Sequence, residues 1–226
     1  MANYEVDPSI LAGRVPSGTE IDLSEGKCFV SVVGFMFLDT RLLGIPVPLH
    51  RDFEEGNLRF YVQRQVGDET RRGVVFVKEI VPRGALAWVA NAVYNEKYVA
   101  LPMSHEDLTG EPSRRLAYGW ELDGQWNRLA VTLTGDAYLP DAASHEAFIT
   151  EHYWGYTAQR DGSTLEYRVE HPRWKVWKVA TCELTCDVAS LYGAEFAPYM
   201  AGSPRSCFVA DGSPIVVRRG VPLRAV

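Results

Sequence analysis

Between Asp52 and Met103 the chain carries two long runs of strand-forming residues, DFEEGNLRFYVQR and GVVFVKEIVPR, divided by a charged turn in QVGDETRRG. Val, Ile, Phe and Tyr dominate both runs, and residues alternate in character along the first. Two such runs joined by a short polar connection predict a long antiparallel hairpin, and the rest of the fold has to be arranged around it. On the first strand Glu55, Asn57, Arg59 and Tyr61 share one face and Leu58, Phe60 and Val62 the other. One reading makes the polar side a wall of a lined cavity, with Lys78 or Glu79 opposite and Arg59 offering a two-pronged hydrogen bond to a carboxylate or phosphate. The plainer reading makes it a solvated face. Lys78 and Glu79 are neighbours with apolar residues on both sides, so one of them is expected to be partly buried. A buried lysine with a depressed pKa could serve as nucleophile or base; an ion pair with Arg59 or Glu55 is the alternative.

The remaining segments mostly read as strands. Asp7-Pro8 can open a short helix. KCFVSVVGFMFL predicts a strand from Cys28 to Leu38, with Gly34 marking a bend or a close approach. ALAWVANAVYNE has helical spacing. RLAYGWEL and WNRLAVTLTGDAYLP predict a hairpin through Asp123-Gly124, and Asp161-Gly162 marks another. Asp141 to Tyr153 reads as a helix capped by Ser144, and a short helix is expected near Asp187 to Tyr192, ended by Gly193. The last two short strands flank a Gly-Ser-Pro turn. Many strands with few helices predict an antiparallel β or α+β fold, and no linker or repeat divides residues 1–226, which read as one domain.

The net charge of −6 offers no nucleic-acid footprint. No apolar run reaches membrane-spanning length, and MANYEVDPSIL has no signal-peptide pattern, which makes a cytoplasmic protein the expectation. The four cysteines are expected to be small packing residues. The five histidines show no metal-site spacing, and nucleotide-binding glycine motifs and a serine nucleophile elbow are absent, so neither metal nor cofactor is expected. His105 is a candidate acid–base group, with a turn-exposed histidine as the alternative.

The runs EGKCFVSVVGFMFLDT, FEEGNLRFYVQR, GVVFVKEIVPR and YVALPM, followed by FITEHYWGYT, EHPRW and VADGSPIVV, resemble the YqjF-like family of uncharacterised conserved proteins. That family resembles acetoacetate decarboxylase in fold, and NYEVDPSILAGRVPSGTEIDL is similar to the decarboxylase's opening pattern. The resemblance implies an α+β fold, mainly antiparallel β, with a curved sheet closing into a barrel-like cavity and a few outer helices. It also implies that a strand found in relatives before the opening motif is missing here. The decarboxylase's reactive lysine pair aligns with ALPMSH, which puts Met103 and Ser104 where amines should be; neither can form a Schiff base. Its pocket carboxylate has a match at Glu55. The expectation is a protein binding a small molecule, with an anion as one option, in an internal cavity without Schiff-base decarboxylase activity, with Glu55, Asn57, Arg59, Tyr61, Lys78, Glu79, Met103 and His105 as ligand-binding candidates. The alternatives are an enzyme acting on a small carbonyl or carboxylate compound, and a structural or assembly protein with no ligand. A homo-oligomer is compatible with the sequence; a nucleic-acid or membrane partner is not expected.

Overall fold

The computed structural model describes residues 1–42, 45–46, 52–82, 97–108 and 114–223. In chain order the strands are β1 (Ala2–Val6), β2 (Glu20–Ile21), β3 (Cys28–Phe37), β4 (Arg41–Leu42), β5 (Ile45–Pro46), β6 (Phe53–Val66), β7 (Glu69–Val81), β8 (Tyr98–Ala100) and β9 (Met103–Leu108). They continue as β10 (Arg115–Leu122), β11 (Gln125–Tyr138), β12 (Trp154–Ala158), β13 (Thr164–Glu170), β14 (Val176–Thr185), β15 (Ser206–Ala210), β16 (Val216–Val217) and β17 (Val221–Leu223). Three short helices join them: α1 (His145–Thr150), α2 (Val188–Tyr192) and α3 (Ala197–Met200). A single 3-10 turn at Pro8–Leu11 is capped by the Asp7 side chain, as the Asp-Pro step predicted.

The β6–β7 hairpin forms as expected. Val66 pairs with Glu69 across the two-residue turn Gly67-Asp68, and Gly67 takes the positive φ that such a turn requires. A register shift between Leu58 and Arg59 marks a bulge, so that Leu58 pairs with Lys78 and Arg59 with Phe76. The β10–β11 and β12–β13 hairpins and the Ser144 cap of α1 also match the expectations. The expected helix in ALAWVANAVYNE lies outside the described residues.

The main sheet has fifteen strands, twelve of them along the path β16-β13-β12-β7-β6-β3-β1-β15-β14-β11-β10-β9, with β17 paired to β13, β2 to β6 and β8 to β7 beside it. All pairings in it are antiparallel except β7 with β12 and with β8. Two expectations need correction. The described strands do not close into a barrel: the path ends at β9 on one side and β16 on the other, and these are not paired. The final strands do not pair as a hairpin either. β15 lies between β1 and β14, whereas β16 pairs with β13, because hydrogen bonding to strands distant in sequence prevails over the local turn.

The open sheet nevertheless bends until its two halves touch. The cross-strand pair Gly34–Gly56 leaves a notch in the surface of β3 and β6. Tyr118 of β10 fills one side of it: a Cβ on Gly34 would sit 2.7 Å from the tyrosine ring. Met103 and Trp120 fill the other, with Met103 Cε 3.7 Å and Trp120 Cε3 3.8 Å from the place of a Gly56 Cβ. Gly34 was thus a signal of close approach. Between the halves lies the main core, containing Tyr4, Val30, Leu58, Phe60, Ile80, Trp120, Leu129, Leu191 and Phe196. Full burial of a side chain such as Leu58 or Phe60 contributes about 2 kcal/mol. The opposite face of β3–β6–β7 carries a smaller core, with Phe29, Tyr61 and Val74 packed under Phe148 and Ile149 of α1.

Cys182 of β14 and Cys207 of β15 form a disulfide across a Cα–Cα distance of 6.4 Å, while Cys28 and Cys186 are free. The expectation of four plain packing cysteines therefore holds for two. The pair is separated by 25 residues in sequence, and only the adjacency of β14 and β15 brings it together.

Candidate functional site

Strand alternation divides the candidate residues between the two faces of the hairpin. Lys78, Met103 and His105 belong to the inner face, between the halves of the sheet. Glu55, Asn57, Arg59, Tyr61 and Glu79 belong to the opposite one.

On the inner face, Lys78 stands opposite Leu58, half-buried, and makes no ion pair among the described residues. Burial first, and then the nearby Arg14 guanidinium, lowers its pKa from the ordinary lysine value. Met103 packs over Gly56, so the ALPMSH stretch does face inward and presents a thioether there. His105, two residues on, is exposed and lies on a strand rather than in a turn. Its Nδ1 is 2.7 Å from Glu54 Oε1, and its ring stacks on Tyr118 at 6.4 Å. The carboxylate that meets this stretch is Glu54, while Glu55, one residue further along the strand, lies on the opposite face.

Deeper on this face are three polar groups that sequence reasoning passed over. Tyr4, Trp120 and Tyr192 are 2%, 0% and 4% exposed. Their Tyr4 OH, Trp120 Nε1 and Tyr192 OH atoms have no hydrogen-bond partner among the described residues. Both phenols feel the Cys186 thiol. Burial, then that thiol, pushes the Tyr4 pKa up to about 12 and the Tyr192 pKa well above its usual value. The hydroxyls are therefore protonated donors at neutral pH. Nothing in the sequence signals that the Trp120 indole N–H is unmatched.

The opposite face is polar and buried. Glu55, Asn57, Tyr61 and Glu79 are each 2% exposed or less. Asn57 Nδ2 donates to Glu55 Oε1 at 3.1 Å and Tyr98 OH to Glu55 Oε2 at 3.2 Å. Burial first, then the Glu55 and Glu79 charges, raises the Tyr98 pKa well above its ordinary value. Arg59 does not point to bulk water. It is half-buried and donates to the Ile149 carbonyl at 3.4 Å, with its guanidinium carbon 5.7 Å from the Tyr61 ring centre. Tyr61 OH meets Ser31 Oγ at 2.6 Å, which in turn donates to Asn3 Oδ1 at 2.6 Å.

Beside Tyr61 is an ion cluster that the sequence did not disclose. Asp22 Oδ2 accepts from Arg72 Nε at 2.6 Å and from His152 Nε2 at 3.0 Å. The His152 side chain is 1% exposed and packs on Tyr61 and Phe148 at 4.7 and 5.2 Å. Burial lowers its pKa to about 4 in spite of the Asp22 hydrogen bond. Burial opposes the Asp22 charge, but the hydrogen bonds from His152 and Arg72 outweigh it and hold that carboxyl below its usual range. A surface depression is lined by Arg115, Thr132, Thr181 and Glu183, none of which is a candidate. Among the described residues no group of three or more His, Cys, Asp or Glu could hold a metal ion, and no helix is long and apolar enough to cross a membrane.

This bent antiparallel sheet with helices at its margins is the fold of the acetoacetate decarboxylase-like proteins. The enduracididine biosynthesis enzyme MppR, solved with pyruvate, superposes with a TM-score of 0.64 at 13% identity, covering 99% of this chain and 87% of that one. An acetoacetate decarboxylase-like enzyme from Sphingomonas wittichii RW1 gives 0.59 at 14% identity, over 100% and 90%. Acetoacetate decarboxylase from Legionella pneumophila gives 0.53 at 13% identity, over 85% and 74%. In sequence, the chain belongs to the DUF2071 family, described as an uncharacterised conserved protein, whose profile matches residues 1–214. It is also 44% identical to the Bacillus subtilis (strain 168) protein YqjF over 62 residues, 27% of this chain and about a quarter of that relative's length (26%).

Proposed function

We propose that the protein binds a small, oxygen-bearing anion between the two halves of its sheet, through hydrogen bonds and without an imine. The observation that carries this reading is the set of buried donors on Tyr4, Trp120 and Tyr192. A buried polar group without a partner costs about 1–3 kcal/mol, so three of them in one core call for an acceptor. All three are donors, and carboxylate or carbonyl oxygens are the complementary chemistry. Lys78, on the same face, supplies positive charge. The pyruvate bound to MppR is a ligand of this class in a protein of this fold. Met103 at the position of the decarboxylase lysine supports binding without covalent attachment.

The expected result with acetoacetate is no carbon dioxide release above a heat-killed control. Borohydride added with acetoacetate should leave the mass of every peptide unchanged. A reduced adduct on any lysine, or decarboxylation above control, would show that the chain retains amine chemistry.

A further inference from the structure

We propose that Glu54 and His105 form a proton-transfer dyad at the rim of the inner face, acting on the carbon next to the carbonyl of a small 2-oxo acid. The inference rests on the binding reading above and adds a reaction to it.

The geometry is that of an imidazole oriented by a carboxylate. Glu54 Oε1 lies 2.7 Å from His105 Nδ1, and the Glu54 side chain is the more buried of the two, at 17% exposure against 42%. A carboxylate at Nδ1 fixes the proton there and leaves the lone pair on Nε2. His105 Nε2 has no hydrogen-bond partner among the described residues. The ring lies at 27° to that of Tyr118, with centroids 6.4 Å apart, and Tyr118 in turn fills the notch over Gly34. The Glu54 carboxylate thus favours the Nδ1–H tautomer and leaves Nε2 available.

What surrounds it suits proton abstraction from carbon. Along β9 and β10, His105 pairs with Tyr118 and Met103 with Trp120. The adjacent place on the same face is thus occupied by an apolar side chain and by a buried indole N–H without a partner. In the step proposed, His105 Nε2 takes a proton from the carbon next to the carbonyl. The C–H electron pair becomes the new C=C bond, and the carbonyl π pair moves to oxygen. Trp120 Nε1 donates a hydrogen bond to that enolate oxygen. The imidazolium then returns a proton to carbon. No electrons leave or enter the pair of reactants, and the step uses no amine and forms no imine. His105 is the catalytic residue; Glu54 acts through it and is a positioning residue.

Pyruvate in D2O tests this, with loss of the methyl proton signal followed by NMR. Wild-type protein should exchange the methyl protons faster than buffer and than heat-killed protein. His105→Gln should reduce the rate at least about 100-fold, and free imidazole should restore part of it to His105→Gly. Glu54→Gln should lower the maximal rate roughly 10-fold with the half-saturating pyruvate concentration unchanged, and Glu54→Asp should recover part of that loss. A purely structural ion pair would give neither the imidazole rescue nor the split between rate and saturation. Far-UV circular dichroism verifies that each variant is folded. Background exchange in the wild type, or equal rates in wild type and His105→Gln, would overturn the dyad. Saturation-transfer NMR separates the two claims. Pyruvate bound but not exchanged refutes the dyad alone, whereas pyruvate neither bound nor exchanged counts against the binding reading as well.

Discussion

Asp22→Ala should destabilise the protein by about 3 kcal/mol, read as a lower urea midpoint at pH 7.5. The carboxylate is 6% exposed and is shared by Arg72 Nε and His152 Nε2. Its loss leaves the His152 N–H buried without an acceptor and the Arg72 guanidinium, 4.8 Å from the Phe148 ring centre, without a counter-charge. Removing one partner from a buried ion pair costs about 3–5 kcal/mol. The Arg72 side chain is 33% exposed and recovers some hydration, which places the figure at the lower end. Asp22→Asn keeps an acceptor for His152 and should lose less. A loss below about 1 kcal/mol for the alanine variant would mean that the cluster contributes little to holding α1 on the sheet.

The same cluster makes stability fall in mild acid. His152 is held neutral in the folded protein, with its pKa lowered from 6.5 to about 4. Between these values the unfolded chain binds more protons than the folded one, so stability rises with pH across this window and is complete above it. The expected loss on acidification from pH 7.5 is about 2 kcal/mol by pH 5 and about 3 kcal/mol by pH 4. Asp22 adds to the loss at still lower pH. Its pKa is lowered below the 3.8 of an ordinary aspartate, so the stability it contributes above that value disappears as pH falls through the folded pKa. Urea unfolding at pH 7.5, 5 and 4 checks the slope, and His152→Phe should flatten the upper part of it. A wild-type profile flat from pH 7.5 to 4 would show that His152 is protonated in place.

Those parts of the fold that rest on local chemistry were legible in the sequence. The β6–β7 hairpin follows from two strand-forming runs and a Gly-Asp turn, and the Ser144 and Asp7 caps follow from side chains that reach their own backbone. Gly34 marked a close approach of the two halves, although the sequence could not say that Tyr118 fills the space. The division of the first strand into two faces was legible, but Glu54 was not among the candidates read from it. Glu54 and Glu55 are adjacent and chemically alike, yet one meets His105 on the inner face and the other is enclosed with Asn57 and Tyr98. The phase of Leu58, Phe60 and Val62 already placed Glu54 on the side of the main core. Asp22 with His152, and Cys182 with Cys207, escaped for another reason. The first pair is brought together by the packing of the α1 region on the sheet and the second by the adjacency of β14 and β15, and no local pattern encodes either.

Native mass spectrometry of the freshly purified protein tests the central claim most directly, with a Tyr4→Phe/Tyr192→Phe double variant alongside. The account predicts a wild-type species heavier than the 25.3 kDa chain by one small molecule. That molecule should leave on denaturation and be lost or weakened in the double variant. The contradicting result is an unliganded wild type together with a double variant of raised urea midpoint. Deleting hydroxyls from a dry core that never receives an acceptor removes a cost and stabilises the fold.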